Sequence, residues 1–183
     1  MNAVAIRPMQ PDDLDAVLTI AAESPETARW QRTDYAPYLG PPEPPLLRAA
    51  FVAVLSGRVA GFAVSSLLVD PPGAEKPENR CELDSMAVDP HARRRRIGSA
   101  LLEAVLHWAA THDCRRFTLE VRASNIPAIR LYERHGIRQE GLRPRYYAEP
   151  VEDAVLMGSH YSRDQQPGPF STAKPVEGGL PRC

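Results

Sequence analysis

A run of four arginines at positions 93–96 comes shortly before Gly98, between a predicted strand and a predicted helix. The start of a helix leaves backbone N–H groups unpaired and carries a partial positive charge, so a bound anion satisfies both. Gly98 has no Cβ and would let a bulky ligand approach the backbone. Arginine side chains at the rim add charge-assisted contacts. These residues predict a loop that binds a pyrophosphate group.

Two other interpretations of the arginine run stay open from the residues alone. The first is a solvated basic loop that precedes an ordinary helix. The second is a nucleic-acid patch, which is disfavoured because no aromatic residues are interleaved with the arginines and the formal net charge of the chain is −1. The succession of strand, loop, glycine and helix favours the phosphate interpretation, so we expect no direct contact with nucleic acid.

The elements around this loop predict a mixed α/β (α+β type) layer fold, with seven strands and four helices. Apolar residues spaced by three and four positions indicate the helices, and short apolar or alternating runs indicate the strands. In order along the chain the predicted elements are strand 4–7, helices 11–21 and 30–39, strands 51–55, 59–69 and 81–88, helix 98–112, strand 117–121, helix 126–135, and strands 137–142 and 151–157.

Composition limits the classes of protein to which the chain can belong. Its 183 residues, 43% hydrophobic and 25% charged, are typical of one globular domain and exclude a wholly disordered chain. The 19 prolines concentrate in residues 37–45, 71–77 and 167–181. Because proline removes a backbone donor, the ordered core should lie between these groups. We predict one domain over residues 1–161 and a disordered tail, rich in proline and glycine, over residues 162–183.

Cysteine and histidine suggest no metal site. The three cysteines, Cys81, Cys114 and Cys183, form no CxxC pair, and none of the five histidines has a metal-ligand spacing. A reducing compartment is therefore expected. The chain has no apolar run of signal-peptide length near its start and none near the roughly 20 residues of a membrane span. We expect a cytoplasmic protein without a membrane partner, acting as a monomer or weak dimer.

Residues 95–100, Arg-Arg-Ile-Gly-Ser-Ala, match the Q/R-x-x-G-x-G/A signature of the GNAT superfamily of acetyl-CoA-dependent N-acetyltransferases. The preceding Met-Ala-Val-Asp-Pro at 86–90 and the two leucines at 101–102 resemble the same family. The resemblance implies the GNAT fold, with a mixed central sheet of about seven strands and flanking helices, and acetyl-CoA as co-substrate without a metal. It implies that the thioester carbonyl is polarised by amides of Met86, Ala87 and Val88, and that the pyrophosphate is held by amides of Arg95, Arg96, Ile97, Gly98, Ser99 and Ala100.

Residues 119–125 and 129–133 closely resemble the bacterial ribosomal-protein-alanine N-acetyltransferases, the RimI type, as do residues 145–147 and 152–154. This resemblance implies that Glu120 is the general base and Tyr132 the general acid, and that Asn125 contacts the pantetheine arm. It also places Trp30 and Tyr147 beside the acceptor. From residue type alone, Glu120 could be an ion-paired surface residue, Tyr132 a core residue and Asn125 a helix cap.

The resemblance implies acetyl transfer to a protein N-terminal α-amino group, most specifically the N-terminal alanine of a ribosomal protein. The segment 23–30 and the connection 148–151 depart from the family pattern, and both border the acceptor. Two alternatives therefore remain. One is a GNAT enzyme for another protein N-terminus or a small-molecule amine. The other is a non-catalytic acetyl-CoA-binding module, which the presence of both Glu120 and Tyr132 disfavours.

Overall fold

The computed structural model describes residues 4–27, 29–75 and 77–161, and the predicted tail at 162–183 lies outside them. The described residues form a seven-stranded sheet and four α-helices. In chain order the elements are β1 Ala5–Pro8, α1 Leu14–Ala22, α2 Arg32–Leu39, β2 Leu46–Leu55, β3 Arg58–Leu68, β4 Asn79–Val88, α3 Ile97–Thr111, β5 Cys114–Arg122, α4 Ile126–Arg134, β6 Arg138–Ala148 and β7 Val151–His160. The predicted fold class and element order are confirmed.

The sheet has the strand order β1-β2-β3-β4-β5-β7-β6. Strands β4 and β5 run parallel, and the other neighbouring strands of this sheet run antiparallel. Helix α3 is the crossover between the parallel pair, because parallel neighbours cannot be joined by a short hairpin. This crossover puts the start of α3 directly after the end of β4, where the arginine loop lies.

The helices cover the two faces of the sheet unequally. Helix α3 buries its stripe of Leu101, Leu102, Val105 and Ala109 in the larger core, on one face. Helices α1 and α2 pack on β2 and β3 from the opposite face, where the second core contains Val17 and Tyr35. Helices α1 and α3 thus bury the apolar sides that their sequence patterns predict, and the sheet separates the two cores.

Hydrogen-bonded pairing between β4 and β5 stops before either strand ends. The last paired residues are Leu83 and Leu119, yet β4 continues to Val88 and β5 to Arg122. Near the same point the β3–β4 register shifts from Val64 opposite Ser85 to Ser65 opposite Leu83, so one extra residue of β4 forms a β-bulge. The C-terminal halves of two parallel strands therefore present backbone groups to an opening between them.

Two strands extend five or more residues beyond the bounds that the sequence pattern predicts. Strand β2 begins at Leu46, immediately after the proline-rich connection, and β6 continues through Pro144 to Ala148. Proline fits in β6 because this strand is the edge of the sheet, where one side needs no hydrogen-bonded partner. The extension matters for function, because it brings residues 143–147 alongside β7.

An ion pair joins β1 to the start of α1. The guanidinium of Arg7 donates to both carboxylate oxygens of Asp13, at 2.6 and 2.7 Å, and the backbone amide of Gln10 donates to Asp13 at 2.7 Å. The hydrogen bond from Arg7 is the main reason why the pKa of Asp13 lies below its usual value.

Among the helices of the described segments, none has the length and apolar character that crossing a membrane requires.

Candidate active site

The arginine loop ends in a helix start with unused backbone donors. The first amide of α3 to bond within the helix is that of Ala100, which donates to the Arg96 carbonyl at 3.1 Å. The amides of Ile97, Gly98 and Ser99 precede it and have no acceptor in their own helix. These three amides can hold a phosphate group, whereas the Ala100 amide, which the sequence reasoning included, is already bonded.

The backbone of this loop adopts two unfavourable conformations. Arg94 and Arg96 have φ angles of 62° and 60°, in the left-handed region that residues with a Cβ rarely occupy. Each such residue costs on the order of 1 kcal/mol, and such strain concentrates at ligand-binding loops. Left-handed residues that alternate with ordinary ones turn neighbouring backbone amides toward one side, as in the backbone concavities that bind anions.

Gly98 contributes to close helix packing, in addition to the role that the sequence suggested. A Cβ at this position would lie 3.2 Å from the Leu131 side chain and 3.8 Å from that of Val88. The missing side chain therefore lets α3 approach α4 closely, and the room that it leaves for a bulky ligand stays a prediction. Ser99 contacts α4 as well, through a hydrogen bond of 3.3 Å between its hydroxyl and the His135 ring.

The end of β4 supplies donors to the opening beside β5. The Asp89 amide donates to the Ala60 carbonyl at 3.0 Å, and amides along an antiparallel strand alternate in direction. It follows that the Ala87 amide points toward β3, whereas the amides of Met86 and Val88 point toward the opening. Of the three residues that the resemblance implied, two therefore have amides directed at the place where a thioester carbonyl would lie.

Glu120 lies near the end of β5, beyond the last pair with β4, and contacts β6. Its carboxylate forms an ion pair with the Arg143 guanidinium, in which the nitrogen and oxygen atoms are 2.8 Å apart. Tyr146 donates its hydroxyl to the same carboxylate, and this bond is the main reason why the pKa of Tyr146 is raised. The Arg143 guanidinium also stacks 4.8 Å from the centre of the Tyr146 ring. Glu120 is thus held in one orientation by two residues of the edge strand.

Tyr132 is 6% exposed and belongs to the larger core. Burial raises its pKa well above the usual value, and the nearby phenol of Tyr147 contributes. Burial and the charge of Glu120 raise the pKa of Tyr147 to about 12. Because Tyr147 interacts electrostatically with both residues, it is a neighbour common to Glu120 and Tyr132. These electrostatic interactions indicate that the predicted base, acid and acceptor-binding tyrosine lie in one region of the structure.

Asn125 caps α4, as the alternative interpretation proposed. Its side-chain oxygen accepts from the Ala128 amide at 3.3 Å, which satisfies one of the unpaired donors at the helix start. Asn125 follows the end of β5 by three residues. Its contact with a pantetheine arm stays a prediction.

Trp30 precedes α2 and packs against two tyrosines of that helix. Its ring centre lies 5.2 Å from that of Tyr35 and 5.5 Å from that of Tyr38. A few residues earlier, the Glu26 carboxylate forms an ion pair with Arg93, the first arginine of the loop, in which the nitrogen and oxygen atoms are 3.5 Å apart. The segment that carries the predicted acceptor-side tryptophan is therefore connected to the predicted phosphate loop.

Among the described residues, no group of three or more histidine, cysteine or acidic side chains is arranged to hold a metal ion. The polar groups at the site are instead backbone amides and phenols, which donate hydrogen bonds, and a carboxylate, which accepts them. These groups suit the binding of a phosphate-containing thioester and the transfer of protons from an amine nitrogen and to a thiolate sulfur.

The sequence profile of the acetyltransferase (GNAT) family matches residues 14–137. The chain belongs to this family. The putative ribosomal protein bS18-alanine N-acetyltransferase of Bacillus subtilis is 30% identical to it over 153 residues, which cover 84% of this chain and 93% of that protein. The ribosomal protein bS18-alanine N-acetyltransferase of Escherichia coli is 34% identical over 109 residues, which cover 58% and 68%. The predicted family and enzyme class, N-acetyltransferase, are confirmed.

Solved structures of GNAT enzymes have the same fold. The crystal structure of the Escherichia coli ribosomal-protein-S18-alanine N-acetyltransferase superposes with a TM-score of 0.65 at 28% identity, covering 86% of this chain and 94% of that one. Arabidopsis thaliana NAA60 in complex with acetyl-CoA gives a TM-score of 0.74 at 21% identity, covering 86% and 98%. The second likeness concerns the fold alone.

Three side chains near the GNAT site were missed by sequence reasoning. Arg143 lies beyond the predicted end of β6, so its pairing with Glu120 could not be foreseen. Asp84 and Tyr38 form a hydrogen bond of 3.0 Å across the acceptor side. The alternating pattern of β4 predicts a regular strand and gives no sign of the bulge at Asp84.

Proposed function

We propose that the protein transfers the acetyl group of acetyl-CoA to the N-terminal α-amino group of a protein, in the first instance the N-terminal alanine of a ribosomal protein. The observation that carries this proposal is the grouping of Glu120, Tyr132 and Tyr147 beside the opening between β4 and β5. That opening is bordered by the amides of Met86 and Val88 and by the start of α3. The opening thus offers a base for the amine nucleophile, backbone amides for the thioester carbonyl and a helix start for a phosphate group.

Glu120 is the group that takes the proton from the acceptor amine. A free α-amino group has a pKa near 8 and is mostly protonated at neutral pH, so it must lose a proton before it attacks a carbonyl. The Glu120 carboxylate accepts this proton directly or through a water molecule. Arg143 and Tyr146 hold the carboxylate in a fixed position, which reduces the entropy lost when the amine docks.

The other groups act on the thioester when acetyl-CoA is bound. The amides of Met86 and Val88 donate to the carbonyl oxygen, on which negative charge develops as the amine attacks. Tyr132 donates its proton to the departing thiolate. Burial keeps this phenol protonated at neutral pH, which is the state that a general acid requires. The amides of Ile97, Gly98 and Ser99 bind the pyrophosphate.

The names of the relatives support the acceptor class, and the structure suggests which residues bind the acceptor. Tyr147 lies beside the proposed base, and its ring is fixed by the Arg122 guanidinium 4.1 Å from its centre. The Trp30 ring packs against Tyr38 of α2. We propose that the acceptor peptide enters between Tyr147 and Trp30, with its amine directed at Glu120.

The experiment is an acetyl-transfer assay with a panel of peptides and small amines, in which mass spectrometry locates the acetyl group. Peptides should include an N-terminal alanine sequence of ribosomal protein bS18, the same peptide with its amine blocked, and a peptide with an internal lysine. The expected product carries the acetyl group on the α-nitrogen. Acetylation confined to lysine side chains or to small amines would refute the proposed acceptor.

Glu120→Gln tests the catalytic assignment, with Glu140→Gln as a matched control because Glu140 is also a carboxylate paired with an arginine, Arg116. We expect kcat to fall about 100-fold or more in Glu120→Gln, the usual effect of removing a general base, and to stay within twofold in the control. Equal activity of the two variants would refute the role of Glu120.

We propose further that the enzyme works in the cytoplasm, as a monomer or weak dimer that binds no nucleic acid. Cys81 and Cys114 are both free and buried, as is typical of proteins in a reducing compartment. Size-exclusion chromatography with light scattering measures the oligomeric state. A stable tetramer, or retention on a nucleic-acid column at physiological salt, would contradict this part.

A further inference from the structure

Asp84 is the extra residue of the β4 bulge. It lies between Leu83, the last residue of β4 paired with β5, and Met86, whose amide faces the opening. At about 3.3 Å per residue along a strand, Asp84 is about 7 Å from Met86. A bulge redirects a side chain, and here it turns the carboxylate toward α2, on the acceptor side of the sheet.

The Asp84 carboxylate is half-buried and is bonded only to hydroxyl groups among the described residues. Tyr38 of α2 donates to one oxygen at 3.0 Å, and Ser66 of β3 donates to the other at 3.1 Å. No described arginine or lysine forms an ion pair with it. Asp84 does interact electrostatically with Arg48, whose guanidinium lies 5.9 Å from the centre of the Tyr38 ring.

A half-buried carboxylate without a cationic partner costs stability, because burial removes water from a charged group. Burial is the main reason why the pKa of Asp84 is raised to about 6, and the hydrogen bonds of Tyr38 and Ser66 offset it only in part. The negative charge of Glu82 also raises the pKa of Asp84. The pKa of Glu82 is raised in turn by burial and by the negative charge of Glu120. Three carboxylates thus face one side of the opening.

Charge balance indicates what this surface binds. The carboxylates of Glu82, Asp84 and Glu120 carry three negative charges, and the facing guanidiniums of Arg48 and Arg143 carry two positive ones. Within this group the negative charges exceed the positive ones by one. Given the proposed acetyl transfer to an amine, we propose that Asp84 is an acceptor-binding residue that receives the ammonium form of the acceptor before Glu120 removes its proton.

The chemistry fits an ammonium group. The acceptor arrives mostly protonated at neutral pH and offers three N–H donors. Each Asp84 oxygen accepts one hydroxyl and keeps a further lone pair, so Asp84 can accept from the ammonium without losing Tyr38 or Ser66. This interaction selects for acceptors with a free cationic amine, and it concentrates them next to the base.

Asp84→Asn removes the charge and preserves the shape, so it tests the proposal directly. We expect the KM for an N-terminal peptide to rise about tenfold, as for loss of one charge-assisted hydrogen bond, with the KM for acetyl-CoA within twofold. The desamino analogue of the peptide, which lacks the ammonium, should bind wild type and Asp84→Asn equally well. An unchanged peptide KM, or equal weakening of the desamino analogue, would overturn the proposal, since the second result indicates a purely structural role through Tyr38.

A pH series on the wild-type enzyme gives the same test without a mutation. As the pH falls from 7 to 5, Asp84 loses its charge while the peptide amine stays protonated. Calorimetry should then show weaker binding of the peptide relative to the desamino analogue, and a constant ratio would refute the role of Asp84. The groups that face Asp84 are Tyr38, Ser66, Glu82 and Arg48. A wild-type enzyme that acetylates no amine would instead refute the proposed function.

Discussion

Gly61 of β3 supports the part of β4 that carries the proposed carbonyl-binding amides. A Cβ at this position would lie 2.9 Å from the Ala87 carbonyl oxygen, 3.1 Å from the Leu101 side chain and 3.2 Å from that of Ile97. The first distance is shorter than real Cβ contacts allow, and its partner is backbone, which cannot rotate away. In Gly61→Ala, β4 or α3 must therefore shift.

The magnitude for Gly61→Ala combines two opposing effects. Overpacking a well-packed region costs about 1–3 kcal/mol, while replacing a strand glycine by alanine recovers about 0.5–1 kcal/mol. With the middle of both ranges, the net loss is about 1.3 kcal/mol, which for a domain of this size lowers Tm by about 3–5 °C. Because the displaced strand carries the amides of Met86 and Val88, kcat/KM should fall at least about tenfold.

Thermal unfolding and acetyl-transfer kinetics measure these two effects, with Gly141→Ala as the control. A Cβ at Gly141 would lie 3.5 Å from the Leu156 side chain, an ordinary contact, so this variant should match or slightly exceed wild-type stability. If Gly61→Ala also had wild-type Tm and activity, the close approach of β3 to β4 would not position the site, and the reasoning would fail.

Three further predictions concern the acid, an ion pair and the tail. Tyr132→Phe should lower kcat about 100-fold while calorimetry shows unchanged acetyl-CoA affinity; a wild-type rate would remove the acid role. Asp13→Asn should cost about 1–2 kcal/mol at pH 7. The pKa of Asp13 is lowered in the folded state, so its ion pair stabilises the fold above the unfolded-state pKa near 4 and stops doing so as the pH falls through the folded-state pKa. Urea unfolding should therefore show a smaller stability loss for Asp13→Asn at pH 2.5 than at pH 7. An equal loss at both pH values would contradict this reasoning. A chain of residues 1–161 should unfold cooperatively within about 2 °C of the full chain, and loss of cooperativity would count against a dispensable tail.

Much of the fold could be predicted because helix and strand periodicities differ and because proline marks the connections. Helix α3 shows this best, since its apolar stripe is long and uninterrupted. Strand ends were harder, because an edge strand such as β6 tolerates Pro144 and exposes most of its side chains. The sequence pattern that identifies a buried strand is absent there.

The site was predictable where it depends on local order along the chain. The arginine loop and Glu120 follow directly from a strand–loop–helix arrangement and a motif. The partners of Glu120 were not predictable, because Arg143 comes from a strand more than twenty positions away and its approach depends on the β6–β7 register. Asp84 was missed because one inserted residue changes which face a side chain occupies, and alternation alone does not reveal a bulge.

The opening between β4 and β5 has a consequence for how this protein tolerates mutation. Its proposed ligand contacts at positions 86 and 88 come from the main chain, which every residue except proline supplies. A saturation library should therefore accept many apolar residues at Met86 and Val88 and reject proline, whereas Glu120 and Tyr132 should accept almost no replacement. Natural drift can then change the side chains that line the opening while the reaction itself is preserved.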